Sequence, residues 1–373
     1  MTTRNNRDKT LVTDILKAAG VLVNGNNPWD IQVHDERLYS TVLRQGALGL
    51  GEAYMKGWWD CKAVDLFLAR LLDGNLVAKL KNSRMILRLL VSKFVNLQTI
   101  KGSREVGELH YDIEPEVYER MLDSSMNYTC GYWRDADNLE DAQIAKMDLI
   151  CRKLKLREGM RLLDIGCGWG GFARFAAENY GVSVVGVTIS KEQEKYAKKF
   201  CKDYPVEIRL QDYREVSEKF DCISAIGMFE HVGCLNYKKY MEIIQHNLVD
   251  GGLFLFQTNG MNGKTHGIDE WIRKYIFPNA MLPTTAEITS AFTGTLTLED
   301  WHNFGDDYIK TLKAWHLNFK NNWKYLHDRD EEFYRMWTYF LFYFLAGYRA
   351  KYIQLWQVVL SNGTGTRNYR SVR

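Results

Sequence analysis

Residues 161–171, which read R-L-L-D-I-G-C-G-W-G-G, constrain the fold of this chain more than any other segment. An apolar run ends in Asp164, a glycine-rich turn follows at once, and residues 174–176 open a pattern with helical spacing. This order predicts a strand, a tight loop and the start of a helix. Glycines let a loop backbone approach a ligand closely, and the free amide groups at a helix N-terminus attract electron-rich ligand groups.

Two classes of ligand fit this loop by pattern. Gly166, Gly168 and Gly171 satisfy G-x-G-x-x-G, the dinucleotide fingerprint, which expects an acidic residue at the end of the next strand to hold a ribose. The next predicted strand, residues 182–189, has no carboxylate at its end. Asp164 instead fits the D-x-G-x-G loop of S-adenosylmethionine (SAM) methyltransferases. The sequence therefore favours SAM over a dinucleotide or a purely structural turn.

The rest of the second half alternates strand and helix patterns. Strands are predicted at residues 161–165, 182–189, 206–211, 222–226, 252–258, 296–304 and 353–360. This alternation predicts an α/β fold with a doubly wound, Rossmann-like parallel sheet, whose ligands bind outside the carboxyl ends of the strands. Residues 259–293 interrupt the order, and we expect them to cap a substrate channel.

The chain of 373 residues is long enough for two domains. Residues 1–100 predict a smaller, mainly helical N-terminal domain, a polar linker extends to about residue 106, and residues 107–373 form the catalytic domain. Within the first domain, residues 84–97 are apolar and cationic without an acid. This segment fits an anionic membrane surface or a helix packed on its own domain, and the pattern does not decide between them.

Composition narrows the class of protein. A net charge of +3 is too small to indicate nucleic-acid binding, and seven cysteines without zinc-like spacing predict reduced thiols and no metal site. The start of the chain lacks the apolar core of a signal peptide, so we expect a cytoplasmic protein. No uncharged run approaches the roughly 18 residues of a membrane span, so any membrane contact is expected to be peripheral.

Residues that follow the predicted strands are expected to converge on one crevice. Gln211, Asp212 and Tyr213 follow the third strand, where they would reach an adenine. Glu230 and His231 follow the fourth, as an acid–base or anion-binding pair. The alternative is that Glu230 caps the next helix and His231 packs beside it. The pattern favours a functional role for Glu230 and a structural role for His231.

A set of motifs then shows a resemblance to a known family. In chain order they are N-Y-T-C-G-Y-W, L-D-I-G-C-G-W-G-G, V-V-G-V-T-I-S, Q-D-Y-R, G-M-F-E-H-V-G, K-Y-I-F-P-N, E-D-W-H-N-F-G and I-Q-L-W-Q-V-V. The chain resembles the bacterial cyclopropane-fatty-acyl-phospholipid synthases over nearly its whole length. The glycine loop is common to many methyltransferases, whereas its combination with G-M-F-E-H-V-G and K-Y-I-F-P-N is far more specific.

The resemblance implies transfer of the SAM methyl group to a cis double bond of a phospholipid acyl chain. The resulting carbocation is stabilised by aromatic faces and shielded from water, until a base removes a proton and the ring closes. In the family that base is bound bicarbonate. A same-fold alternative is an enzyme that gives a methylene- or methyl-branched fatty acid. The family also implies contact with the inner face of the membrane and a homodimer.

The resemblance implies that Cys130, Glu230 and Tyr308 hold the bicarbonate. From the residues alone, Cys130 fits a nucleophile, a backbone ligand or a small buried side chain, which most lone cysteines are. Gln257 and Leu345 stand where the family usually has a histidine and a second cysteine. Glutamine can hydrogen-bond an anion but cannot become cationic near neutral pH, so these departures weaken the inference of bicarbonate binding.

The glycine loop and the resemblance together imply the cofactor-binding residues. They are Tyr128, Thr129, Asp164, Gly166, Gly168, Gly170, Thr188, Ser190, Gln193, Gln211, Asp212 and Tyr213.

Overall fold

The computed structural model describes residues 2–72, 115–261, 269–278, 280–363 and 368–373. The cationic segment 84–97 and the predicted linker lie outside the described residues. The chain divides into two compact units, of which the first comprises Met1–Val95, His266–Pro278 and Trp315–Ile353. The second comprises Asn96–Thr265, Asn279–Ala314 and Gln354–Arg373. The first unit therefore includes two later segments that the predicted boundary near residue 100 assigns to the catalytic domain.

The described α-helices and strands run as follows in chain order. The helices are α1 Thr2–Ala18, α2 Arg37–Gln45, α3 Ala47–Met55, α4 Val64–Leu72, α5 Pro115–Met121, α6 Leu139–Lys153, α7 Gly171–Tyr180, α8 Lys191–Phe200, α9 Tyr237–Asn247, α10 Glu270–Tyr275, α11 Thr285–Phe292, α12 Gly305–Asn322 and α13 Glu331–Arg349. The strands are β1 Gln32–Val33, β2 Trp59–Asp60, β3 Arg161–Ile165, β4 Ser183–Thr188, β5 Val206–Leu210, β6 Phe220–Ile226, β7 Leu248–Met261, β8 Thr297–Asn303 and β9 Ile353–Ser361.

The first unit is mainly helical, as the sequence predicts. Its only described strands, β1 and β2, form a short antiparallel pair. Helix α13 packs on α4 and α3 within this unit, where the buried ring of Tyr339 lies 4.7 Å from that of Trp271. None of the described helices combines the length and apolar character needed to cross a membrane.

The second unit contains a seven-stranded sheet in the order β5-β4-β3-β6-β7-β9-β8. All seven predicted strands are present, and the doubly wound α/β fold is confirmed. Strands β5, β4, β3, β6 and β7 are parallel, but β8 and β9 are antiparallel to each other, so a wholly parallel sheet was a wrong prediction. The apolar run in β9 predicts a buried strand but does not encode its direction, because both orientations bury the same side chains.

Alternating residues of the central strands supply two hydrophobic cores, one on each face of the sheet. Leu163 and Ile223 belong to one core, and Leu162 and Cys222 belong to the other. This period of two is the geometry of a strand that is covered on both faces. The chain runs outwards from β3 to β4 and β5, then returns to β6 on the other side. This reversal between β3 and β6 is a topological switch point, where a ligand crevice is expected.

Candidate active site

A cavity of about 190 Å³ lies at the carboxyl ends of β3, β4 and β6. Ile165, Thr188 and Ile226, the last residues of these strands, form part of its wall. Residues Met126–Thr129 close it from an upstream loop, and Trp169 and Phe172 contribute aromatic rings. The crevice therefore lies at the switch point of the sheet.

Ten of the twelve predicted cofactor residues line this cavity. They are Tyr128, Thr129, Asp164, Gly166, Gly168, Thr188, Gln193, Gln211, Asp212 and Tyr213. Ser190 and Gly170 are not in the lining. The Ser190 side chain caps α8 by accepting a hydrogen bond from the Gln193 amide at 3.3 Å. A Cβ on Gly170 would lie 2.8 Å from Cys201 Sγ, so this glycine allows α7 to pack closely.

The glycine loop turns tightly between β3 and α7. Gly166, Gly168 and Gly170 have φ angles of 73°, 54° and 88°, which side-chain-bearing residues rarely adopt. Asp164 precedes this turn, and its Oδ1 accepts a hydrogen bond from Ser224 Oγ at 2.8 Å. Burial raises the pKa of Asp164 to about 6. The end of β3 and the turn after it thus place a buried acid next to glycine backbone in the cavity wall.

Three further hydrogen bonds hold polar groups of the cavity wall. Thr188 Oγ1 donates to Gln193 Oε1 at 2.8 Å, which joins the end of β4 to the start of α8. Arg214 donates two hydrogen bonds to the Asp212 carboxylate, from Nε to Oδ1 at 2.8 Å and from Nη2 to Oδ2 at 2.6 Å. Bidentate pairing fixes the plane of a carboxylate, so the Asp212 side chain is held rigidly at the cavity edge.

Cys130 is fully buried, with Sγ 3.1 Å from the Gly131 carbonyl oxygen. Burial raises its thiol pKa well above the usual value, so the structure does not favour a thiolate nucleophile. Thr311 on α12 anchors this loop, because its Oγ1 accepts hydrogen bonds from the Gly131 amide at 3.1 Å and from Trp133 Nε1 at 2.8 Å. Tyr308 is also buried, one helical turn before Thr311.

Glu230 lies in a 3-10 turn, Phe229–His231, directly after β6. Its side chain is buried, and Oε1 accepts a hydrogen bond from the Asn259 amide on β7 at 2.6 Å, so it does not cap the next helix. The other oxygen, Oε2, has no hydrogen-bond partner among the described residues. Burial raises the Glu230 pKa to about 7. This carboxyl group can therefore exist in either protonation state near neutral pH.

His231 lines the cavity, although the sequence favours a purely structural role for it. Burial lowers its pKa to about 4, so the imidazole is neutral under ordinary conditions. The sequence signal for a functional role is its position next to Glu230 after a strand end, and that role stays a prediction. Asn127, which also lines the cavity, was missed because nothing in its local pattern separates it from a turn residue.

Gln257 is buried on β7, where its backbone oxygen accepts a hydrogen bond from the Gly227 amide at 2.9 Å. A Cβ on Gly227 would lie 2.9 Å from Thr129 Cγ2. Gly227, in the turn after β6, therefore lies between Gln257 and Thr129, the residue before Cys130. Gln357 Nε2 donates to Gln257 Oε1 at 3.0 Å. Leu345, which stands where the family usually has a second cysteine, is buried on α13 in the first unit. The four predicted catalytic residues, Cys130, Glu230, Gln257 and Tyr308, belong to the second unit.

A doubly wound sheet with a D-x-G-x-G loop and a cavity at its switch point defines a SAM-dependent methyltransferase. Within that class, the model of the mycolic acid cyclopropane synthetase family matches residues 98–358. The chain belongs to this family.

Known relatives agree with this assignment. The chain is 47% identical over 355 residues to the cyclopropane-fatty-acyl-phospholipid synthase of Escherichia coli, covering 95% of this chain and 93% of the relative. It is 30% identical to the tuberculostearic acid methyltransferase of Mycobacterium tuberculosis, with coverage of 87% and 81%. The solved cyclopropane synthase MmaA2 from Mycobacterium tuberculosis is 28% identical, with a TM-score of 0.66 over 69% of this chain and 98% of that one.

A second solved structure is the mycolic acid cyclopropane synthase CmaA1 complexed with SAH and CTAB. It is 28% identical, with a TM-score of 0.65 over 69% of this chain and 98% of that one. These neighbours share the α/β fold of the second unit and are named as cyclopropane synthases.

Proposed function

We propose that this protein transfers the methyl group of SAM to a cis double bond of a phospholipid-bound acyl chain and closes a cyclopropane ring. The observation that carries the proposal is the buried Glu230 carboxyl group with one oxygen that has no partner among the described residues. The next residue, His231, lines the cavity. The identity to the E. coli synthase supports the same reaction.

The lining of the cavity suits this chemistry. An alkene is a poor nucleophile and a sulfonium is a strong methyl donor, so alignment of the two carbons supplies much of the rate. Tyr128, Trp169, Phe172 and Tyr213 place aromatic rings in the wall. Aromatic faces stabilise a carbocation electrostatically, and an apolar wall keeps water away from it. A group that holds or accepts a proton must then act on the new methyl group.

The residues beside the cavity fit bicarbonate. A Glu230 carboxyl group with a pKa of about 7 can donate a hydrogen bond from its unpartnered oxygen when protonated. Because Gln357 occupies Gln257 Oε1, the amide nitrogen of Gln257 is the group left to donate to an anion. Cys130, through its backbone, and Tyr308 complete the proposed set. Bound bicarbonate would supply the base for deprotonation.

The test is incubation of the purified protein with methyl-labelled SAM and vesicles of a cis-unsaturated phosphatidylglycerol. We expect labelled lipid that gains one CH₂ and shows the upfield ring protons of a cyclopropane by NMR. Vesicles with saturated chains are the control and should stay unlabelled. A methylene-branched product would assign the chain to the alternative function, and absence of label would remove the proposed activity.

We propose further that the first unit docks on the inner face of the cytoplasmic membrane and that the protein acts as a homodimer. Trp58 is half-buried, with the Arg37 guanidinium 4.5 Å and the Lys56 ammonium 5.4 Å from its ring centroid. An indole flanked by cations suits the interface of an anionic bilayer. Co-sedimentation with the vesicles above and analytical ultracentrifugation test these two points.

Gln257 allows a direct test of anion binding. We expect Gln257→Leu to raise the bicarbonate concentration for half-maximal activity about tenfold, because a hydrogen bond to a charged group contributes about 1.5 kcal/mol or more. Gln257→His, which keeps a donor, is the matched control and should stay near the wild-type value. Equal bicarbonate dependence in the leucine variant and the wild type would exclude Gln257 from the anion site.

A further inference from the structure

Lys146 is a fully buried lysine outside the cavity lining, in the middle of α6. Its Nζ donates hydrogen bonds to Asn127 Oδ1 at 2.9 Å and to Thr129 Oγ1 at 3.0 Å. Both acceptors line the cavity. The ammonium therefore holds two residues of the cavity wall from behind.

The preceding turn of α6 also contacts the loop over residues 127–132. Gln143 is also fully buried, and its Nε2 donates to the Thr129 backbone oxygen at 2.7 Å. The Tyr132 amide donates to the Ala142 carbonyl oxygen at 2.8 Å, and a Cβ on Gly131 would lie 2.9 Å from Ala142 Cβ. One face of α6 thus fixes the loop over residues 127–132. Among the three α6 residues that make these contacts, Ala142, Gln143 and Lys146, the lysine is the charged one.

The charges around Lys146 explain how a buried cation is tolerated. Burial lowers the pKa of Lys146 to about 8. Electrostatic interactions with Asp123 before the loop, with Cys130 and with Asp164 on β3 act in the opposite direction and favour the charged ammonium. Asp123 Oδ1 accepts from the Asn127 amide at 3.1 Å, so this acid orders the same loop. A buried ammonium without such partners costs several kcal/mol.

We propose that Lys146 is a positioning residue for the cofactor: it holds Asn127 and Thr129 in the cavity wall and balances the charge of Asp164. The inference rests on the proposed use of SAM and assigns no contact between Lys146 and the cofactor. Any buried ammonium needs hydrogen-bond partners, and what distinguishes Lys146 is that both of its side-chain acceptors line the cavity.

The experiment measures SAM binding by calorimetry without lipid, so it is independent of whether the lipid product is a ring. Lys146→Met is expected to raise the dissociation constant for SAM about tenfold or more, because each lost hydrogen bond frees a wall residue. Lys146→Arg should recover most of the affinity. The matched control is Lys153→Met, which removes the other fully buried lysine of α6, 3.3 Å from Asp300 and outside the cavity lining.

Thermal melting separates positioning from stability. Equal losses of SAM affinity in Lys146→Met and Lys153→Met at equal melting temperature would overturn the proposal, as would wild-type affinity in Lys146→Met. A second measurement does not depend on the folding of the methionine variant. Above pH 8, wild-type affinity should fall more steeply than that of Lys146→Arg, which stays charged. Since the amino group of SAM titrates in both proteins, only the difference counts, and parallel profiles would reject the role.

Discussion

Glu230→Gln is expected to lower product formation about a hundredfold or more, while SAM affinity stays within about twofold of the wild type. The amide keeps the shape of the side chain and can still accept the hydrogen bond from the Asn259 amide. It cannot exchange a proton near pH 7, as the wild-type carboxyl group does. An amide can still donate a hydrogen bond to the proposed bicarbonate, but it cannot take up the proton that the bicarbonate removes, so ring closure should fail while the fold persists.

Labelled-lipid turnover and calorimetric SAM binding measure the two effects separately. Glu287→Gln is the matched control: it is the same substitution in the same unit, at a carboxylate that is already used in the α11 capping box, where Oε2 accepts from the Thr284 amide at 2.8 Å. Glutamine also serves in a capping box, so this control should keep both activity and SAM binding. Turnover near the wild-type level in Glu230→Gln would remove Glu230 from the chemistry.

The same variant is expected to be more stable than the wild type at pH 8. Burial raises the Glu230 pKa from its ordinary 4.5 to about 7, so the folded state holds this proton more tightly than the unfolded state does. The free energy of unfolding therefore falls as the pH rises from about 4.5 to about 7, and glutamine removes that loss. We expect a gain of about 1–3 kcal/mol at pH 8 that vanishes at pH 4, measured by urea unfolding.

Local pattern was sufficient for the strands and most of the cofactor wall. An apolar run that ends in Asp164 and leads into glycines specifies a strand, a loop and a helix start without long-range information. Residues at the ends of parallel strands converge by geometry, which is why Gln211, predicted from its place after the third strand, lines the cavity.

Features that depend on distant contacts could not be read in this way. The insertion of β9 between β7 and β8 follows from packing across the sheet, and the apolar run of β9 fits several positions. Residues 315–353 join the first unit through contacts such as that of α13 with α4. Lys146 illustrates the same limit within one helix, because a lysine predicts an exposed position unless its buried acceptors are known.

Gly171→Ala is expected to weaken SAM binding about a hundredfold, even though alanine favours helices and the φ angle at this position is ordinary. A Cβ at residue 171 would lie 2.0 Å from the Ser125 backbone oxygen. A backbone atom cannot rotate away, so the loop that leads into Asn127 and Tyr128 must move by about 1 Å or more. A displacement of that size can cost about a hundredfold when the displaced groups position a ligand.

Gly260→Ala is the matched control, because its Cβ would also lie 2.0 Å from a neighbour, the Trp356 ring, but outside the cavity lining. Both variants should have a lower melting temperature, because overpacking typically lowers the free energy of unfolding by about 1–3 kcal/mol. Only Gly171→Ala should lose SAM affinity beyond the amount that its lower stability explains. If the two variants bind SAM equally well below their melting temperatures, the loop at residues 125–129 does not form the cofactor wall. In that case the glycine at the first residue of α7 would serve only the close packing of this helix on Ser125.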